Sequence, residues 1–449
     1  MFVRLILSPL GRNIAACDDR SHTARPVMKR FLLFLLPCVL LCPSLLRAST
    51  YTAASCSSSD FATALSSATD GDTVQGPSGG GSASWSSNIT INKGVTLNGN
   101  GCTVTFGGST LVVNTDGTPF SLTGFTFNSC GSTNVQVNTA SGPPYNATWR
   151  IYNNTFSVGG TCLQTYGLGP GLVDHNTFTT SSEAAEMIHI WGGPAGNTTG
   201  WTTDITPGGP NMIYFENNIW TESDSSNYAQ AEEGYYGAAF VLRDNTLNYV
   251  QGDAHGTGEY GPETRWVELY NNTFNNCCAS GSFFDFRGGS GMIWGNTANN
   301  TRSGTETRLG PICGSSDGCS SYPMQYGFAM GVKGTNSSPV YLWGTSAVDT
   351  NPANRDSSLL AIGASAGVCS GLLGDLCNVI TGSAQPATLQ RCESAADVTA
   401  GCPVSYAYTP YPYPHPLDNC SPSQQGAGAT CNSNGPAPPT ALNGSVQTQ

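Results

Sequence analysis

One short phrase recurs along the chain as WRIYNNTF, GLVDHNTF, IYFENNIW, FVLRDNTL, VELYNNTF and MIWGNTAN. Its anchor asparagines are Asn154, Asn176, Asn218, Asn245, Asn272 and Asn296, with steps of 22, 42, 27, 27 and 24 residues between them. The long step has room for a loop or an extra coil, and VYLWGTSA at 340–347 reads as a further copy anchored at Thr345. Before each anchor apolar and polar residues alternate, the period of a half-buried strand. In the copy ending at Asn272, Val267 and Leu269 point inward and Glu268 and Tyr270 outward. A strand this short cannot bury an apolar face alone, so the copies must stack, each giving one rung of a parallel sheet. Asparagines at the same turn then hydrogen-bond from rung to rung. Phe156, Phe178, Trp220, Leu247 and Phe274, two residues after their anchors, fill the interior.

Composition agrees with an all-β reading: of 449 residues only 10% are charged and 55 are glycine, which leaves few segments suited to helices. Residues 1–27 resemble neither mature protein nor leader. Residues 28–48, MKRFLLFLLPCVLLCPSLLRA, have the basic start, short apolar run and small-residue exit of a secretory signal peptide, too short for a membrane span. The mature chain is expected to be secreted, extracellular or periplasmic, with no membrane attachment after cleavage. Three of the 17 cysteines (Cys17, Cys38, Cys42) lie in the leader, and the even remainder suits an oxidising compartment. The close pairs Cys313 with Cys319 and Cys369 with Cys377 have the spacing to close small loops. A net charge of −12 argues against nucleic acid as a partner. Residues 49–420 are read as the folded domain, and 421–449, rich in Gly, Ser, Pro and Ala, as a flexible tail.

A second column of short strands ends in a large residue followed by Gly: CLQTYG, MIHIWG, EEGYYG, VQGDAHG, FFDFRG and FAMGVKG. Alternation places Ile188, Ile190, Phe284, Phe286, Met330 and Val332 inside. The outward residues before each Gly are Tyr166, Trp191, Tyr236, His255, Arg287 and Lys333. Two residues upstream stand Gln164, His189, Gly234, Asp253, Asp285 and Gly331. In register this is a surface ladder of about 4.8 Å per step, running from aromatic to cationic, with Asp253 and Asp285 adjacent. A second outward ladder on the asparagine strands carries Tyr152, Asp174, Glu216, Arg243, Tyr270 and Trp294. His175 is read as a turn residue, and NTDG at 114–117 as a turn rather than a hydrolase motif.

The repeat, together with ITINKGVTLNGNGCTVTF at 89–106 and the preceding FATALSSATDGDTV, resembles the secreted right-handed parallel β-helix proteins of the pectate-lyase-like superfamily. The ending YTPYPYPHPLDN resembles the C-terminus of many bacterial right-handed β-helix repeat proteins. The resemblance implies an all-β, right-handed parallel β-helix with loop insertions, and it implies little about activity. The expected partner is an extracellular polysaccharide, bound by a monomer. Tyr166, His189, Trp191, Tyr236 and Lys333 would form its subsites. In β-elimination from a uronate, His255 would act as base or acid and Arg287 would neutralise the carboxylate. Asp253 and Asp285 would orient His255 or hold Ca²⁺, the one cofactor considered, and not a required one. The alternatives are hydrolysis by paired carboxylates and a non-catalytic glycan-binding or adhesin role.

Overall fold

The alternation and the asparagine repeat give rise to three stacked strand columns, seen in a computed structural model. It describes residues 48–114, 119–139, 148–167, 169–181, 185–193, 206–223, 229–254, 264–276, 284–286, 290–299, 307–309, 340–344, 346–348, 360–362, 379–382, 384–391 and 404–419. All but two of the strands join one 28-stranded sheet whose pairings are parallel, each strand lying beside the equivalent strand one coil away. This is the expected parallel β-helix.

The first column holds the strands before the anchors, such as Gly171–Asp174, Ile213–Glu216, Ala239–Arg243 and Trp266–Tyr270. The second holds the strands after them, such as Thr177–Thr180, Ile219–Glu222 and Thr246–Asn248. The third contains Thr155–Tyr166 in its later half, then Ile188–Trp191, Ala229–Tyr235, Val250–Ala254, Phe284–Phe286 and Thr307–Leu309.

Between the first two columns the chain turns a corner, and the repeat is the chemistry of that corner. The residue before each anchor has positive φ: Asn153, His175, Asn217, Asp244, Asn271 and Gly295. Asn, Asp and Gly tolerate this region best, and His175 is a turn residue as expected. The anchor itself is buried. Asn245 Oδ1 accepts the Asn218 N–H at 2.9 Å, and Asn245 Nδ2 donates to the carbonyls of Phe215 and Arg243, both at 2.9 Å. The same contacts repeat from Asn154 to Asn296. Inside the second column Phe127, Phe156, Phe178 and Trp220 stack with centroids 4.7–5.3 Å apart, continuing to buried Leu247 and Phe274.

The N-terminal end of the solenoid would expose unpaired sheet and core. The helix Ser58–Ser67 covers it, burying Phe61 and Leu65. Ser57 Oγ caps the helix by accepting the Asp60 N–H at 3.2 Å, and Lys93 Nζ donates to the carbonyls of Leu65 in its last turn and of Ala68 at its C-cap. Among the described residues two disulfides, Cys56–Cys102 and Cys130–Cys162, tie neighbouring coils. Spacing singled out neither pair, because their sulfurs meet only through coil stacking. Cys313, Cys319, Cys369 and Cys377 lie outside the described residues, as do the leader and the tail.

The last described segment reverses direction. Leu389–Arg391 pairs antiparallel with Val404–Tyr406, and residues 407–419 then run back over the outward side of the first column.

Candidate functional site

The outward ladder of the first column becomes a second core beneath that C-terminal segment. Glu216, Arg243, Asp174 and Glu268 are fully buried, so Glu268 and Tyr270, expected to face outward, do leave the solenoid interior but do not meet solvent. Arg243 donates to Glu216 Oε2 at 2.6 Å, to the Tyr270 hydroxyl at 2.9 Å and to the carbonyls of Tyr411 and Pro412 at 2.7 and 2.8 Å. Glu216 Oε1 accepts the His415 N–H at 2.8 Å, and Glu268 accepts the Tyr408 hydroxyl at 2.7 Å. Arg150 bridges Asp174 and Asp418 and donates to the carbonyls of Leu417 and Asp418. Burial raises the Glu216 carboxyl, and Arg243 offsets part of that. The candidate trio Asp174, Glu216 and Arg243 is therefore a docking surface for the chain's own C-terminus. Asp174, His175 and Asp418 converge closely enough to share a cation, but Arg150 already neutralises both carboxylates.

The third column is the remaining candidate. Its register gives two rows of aligned positions. One runs Asn114, Asn138, Tyr166, Trp191, Tyr235. The other runs Gln136, Gln164, His189, Glu233, Asp253, Asp285, Arg308. Tyr166, His189 and Trp191 stand where expected, and Asp253 and Asp285 are rung neighbours.

Three placements differ from expectation. Tyr235, not Tyr236, follows Trp191, while Tyr236 sits at the corner with φ 52° and its ring 4.9 Å from Trp191. Glu233, not Gly234, follows His189, because Tyr236 is an extra corner residue before Gly237 and moves the aligned set back by one; a β-bulge between Gln230 and Glu233 then sets the pairing of this strand with Val250–Ala254. After Asp285 the next rung is Thr307–Leu309, placing Arg308 where Gly331 was expected. His255, Arg287 and Lys333 lie outside the described residues.

His189 forms the centre of a polar cluster. Its Nε2 lies 2.5 Å from Glu186 Oε2 and 3.1 Å from Thr161 Oγ1. The Tyr235 hydroxyl donates to Glu233 and lies 3.4 Å from Glu186 Oε2. Burial, then Glu233 and Glu186, hold the Tyr235 phenol protonated far above its ordinary range. Ligand atoms of Glu186, His189 and Glu233 lie within 4.8 Å of one another, close enough to share a cation or to work as two carboxylates around one centre. Of this cluster Glu186 and His189 are half-buried while Glu233 and Tyr235 are buried; Asp253 is buried too, and its Oδ2 accepts from Gln230 Nε2 at 2.6 Å. Glu186 and Glu233 escaped the sequence reading because the first precedes its strand and the second is brought into the row only when Tyr236 is taken as an extra corner residue.

The adjacent Glu232 turns into the solenoid. Its carboxyl lies over Gly252, where an added Cβ would come within 2.6 Å of Oε1. Burial foremost, then the charges of Asp253 and Glu233, push its pKa well above the usual carboxylate range, and the Asp253 backbone amide offsets only part of this.

Aromatic contacts hold the row of Tyr166 together: Tyr166 meets Trp191 edge-on at 5.2 Å and Trp191 meets Tyr235 at 5.9 Å, while His189 of the other row meets Tyr235 at 5.1 Å. Before the rings, the row consists of amides joined side to side, Asn138 Nδ2 to Asn114 Oδ1 at 2.8 Å and Asn114 Nδ2 to Asn92 Oδ1 at 2.5 Å. Compared with protein-family models, with characterised proteins and with solved structures, the chain matches none, so its reading rests on the parallel β-helix and on this column.

Proposed function

We propose that the protein is a secreted polysaccharide-active β-helix protein that binds an extracellular polysaccharide along the third column and cleaves it beside His189. The observation that carries this reading is one continuous register: amides lead into Tyr166, Trp191 and Tyr235, while His189, held by Glu186, stands in the adjoining row between Gln164 and Glu233. The half-buried rings of Tyr166 and Trp191 have apolar faces and polar edges suited to sugars, and buried Tyr235 backs them.

The favoured chemistry is β-elimination from a uronate. His189 takes the proton α to the substrate carboxyl, and Glu186 stabilises the resulting imidazolium. Expulsion of the glycosidic oxygen, which takes up a proton, leaves an unsaturated sugar and a new chain end. His255, Arg287 and Lys333 follow the column strands in sequence and enter the proposal as a second base and as cations for the substrate carboxylate. A Ca²⁺ held at Asp253 and Asp285, or at Glu186 and Glu233, would serve the same neutralising purpose.

A second reading draws on the Glu186 and Glu233 oxygens, within 4.8 Å of each other. A carboxylate separation of about 5 Å suits a retaining glycoside hydrolase. The test is incubation of the mature chain with a panel of uronate and neutral polysaccharides, with and without calcium. Near-ultraviolet absorbance of an unsaturated uronate, lost in His189→Ala, is the expected result. Reducing ends without that absorbance, lost in Glu233→Gln, favour the hydrolase, and glycan binding with neither product moves the reading to an adhesin.

A further inference from the structure

The second column carries a surface that the polysaccharide reading does not use. Its strands follow the pattern outward, inward, outward: Thr155-Phe156-Ser157, Thr177-Phe178-Thr179, Ile219-Trp220-Thr221, Thr246-Leu247-Asn248, Thr273-Phe274-Asn275 and Thr297-Ala298-Asn299. Register aligns every first residue with the next rung's first, and every third with the next third. The result is a two-dimensional array of small polar groups with a repeat of about 4.8 Å between rungs and roughly 6.6 Å along each strand.

Three properties make the array a rigid lattice rather than a solvated edge. It is regular: the parallel register runs over six rungs from Thr155 to Thr297 without a bulge, so every outward position repeats at the rung spacing. It is preorganised: Asn248 Nδ2 donates to Thr221 Oγ1 at 3.1 Å, Asn275 to Asn248 and Asn299 to Asn275 at 3.0 Å each, and β-branched Thr and Ile have few rotamers to lose. It is uncharged, in a chain of net charge −12. The large apolar residue exposed on it, Ile219 at 47%, replaces a Thr and keeps its branched methyl in the row.

We infer that this face binds ice. An ice surface is an uncharged lattice of oxygens whose repeat along one axis lies close to the rung spacing, so its charge and periodicity match the face. Immobile hydroxyls, amides and methyls can order a layer of water at little entropic cost. Among the described residues of the array the aromatic rings all point inward, so it offers no stacking platform to a crystalline polysaccharide.

The experiment is thermal hysteresis and ice-recrystallisation inhibition by the purified full chain. The wild type is expected to hold ice crystals unchanged below their melting point. The double variant Thr246→Lys/Thr273→Lys, which projects two charged stems from the array, is expected to lose this while keeping its circular dichroism and melting temperature. Thr246→Val/Thr273→Val, which keeps the shape and the methyls, should retain most of it. His189→Ala should retain it fully, so the inference stands or falls apart from the polysaccharide reading. Absence of hysteresis in the folded wild type, or hysteresis indifferent to the lysine pair, overturns it. Adsorption to cellulose or chitin powder through this face without hysteresis also overturns it and identifies the face as a glycan surface.

Discussion

Glu216 and Arg243 sit opposite each other on adjacent rungs, joined at 2.6 Å and both wholly removed from solvent. Neither is inside the solenoid. Both lie between its first column and the returning segment 407–419, where Arg243 also meets the carbonyls of Tyr411 and Pro412 and the faces of Tyr214 and Tyr413. A buried guanidinium persists only when its donors are satisfied, and here the C-terminal backbone supplies two of the acceptors.

Arg243→Met should therefore leave Glu216 buried without its partner and cost about 3–5 kcal/mol. Denaturant unfolding would measure the loss, and limited proteolysis should cut within residues 404–419 well before the wild type is cut. Arg243→Met/Glu216→Met should recover most of the stability. A single variant as stable as wild type would contradict the clasp.

Docking of the segment should weaken in acid through His415. Its ring is buried between Tyr214 and Tyr411, its Nδ1 accepts the Leu417 N–H at 3.1 Å, and Glu216 accepts its backbone N–H. Burial, then Arg243 and Arg150, drive its pKa well below 6.5. The folded state holds it neutral, so its contribution is full above about 6.5 and is lost as pH falls below that value. His175 opposes this: its contact with Asp174 raises its pKa, stabilising the acid side, but the half-exposed ring is screened. Protease sensitivity of 404–419 should rise between pH 7 and 5 in wild type and rise less in His415→Phe.

Glu232 predicts the opposite slope. Its carboxyl is neutral when folded and ionises at about 4.5 when unfolded, so the folded state binds the extra proton and stability declines as pH rises above 4.5. Glu232→Gln should flatten that decline, as read from melting temperatures across pH. Gly252→Ala, whose Cβ would press on Glu232 Oε1 and the Phe284 ring at 2.6 and 2.7 Å, should cost about 1–3 kcal/mol.

The corner ladder predicts a position-specific penalty. Asn245→Ala removes the acceptor for the Asn218 N–H and the donors to Phe215 and Arg243. Each buried group left unsatisfied costs about 1–3 kcal/mol. Asn275→Ala, on the part-buried outer ladder, should cost far less. Hydrogen exchange at the Asn218 amide should accelerate in the first variant and not in the second.

How much of this was legible follows from the range of each signal. Alternation and the Asn-x-Phe spacing act within a few residues, so strand identity, the inward set Val267, Leu269, Phe156 and Phe178, and the turn role of His175 could be read directly. The candidate column was legible where copies are regular, at Tyr166, His189 and Trp191. It slipped at Glu233 and Tyr235 because one extra corner residue, Tyr236, moves the aligned set by one without changing composition, and after Asp285 because the chain there leaves room for more than one strand.

The amino-acid pattern by itself determined that this chain stacks as a parallel β-helix with asparagine corners, since period-two burial and a repeated turn have no other economical packing. Only the tertiary structure decided which outward residues see water. Asp174, Glu216 and Glu268 obey the same alternation as the half-buried Gln136 and His189, yet the first three are sealed by a segment whose Tyr408 lies 140 residues beyond Glu268 in the chain. Alternation specifies a face; what covers that face depends on contacts between residues far apart in sequence, which no local period encodes.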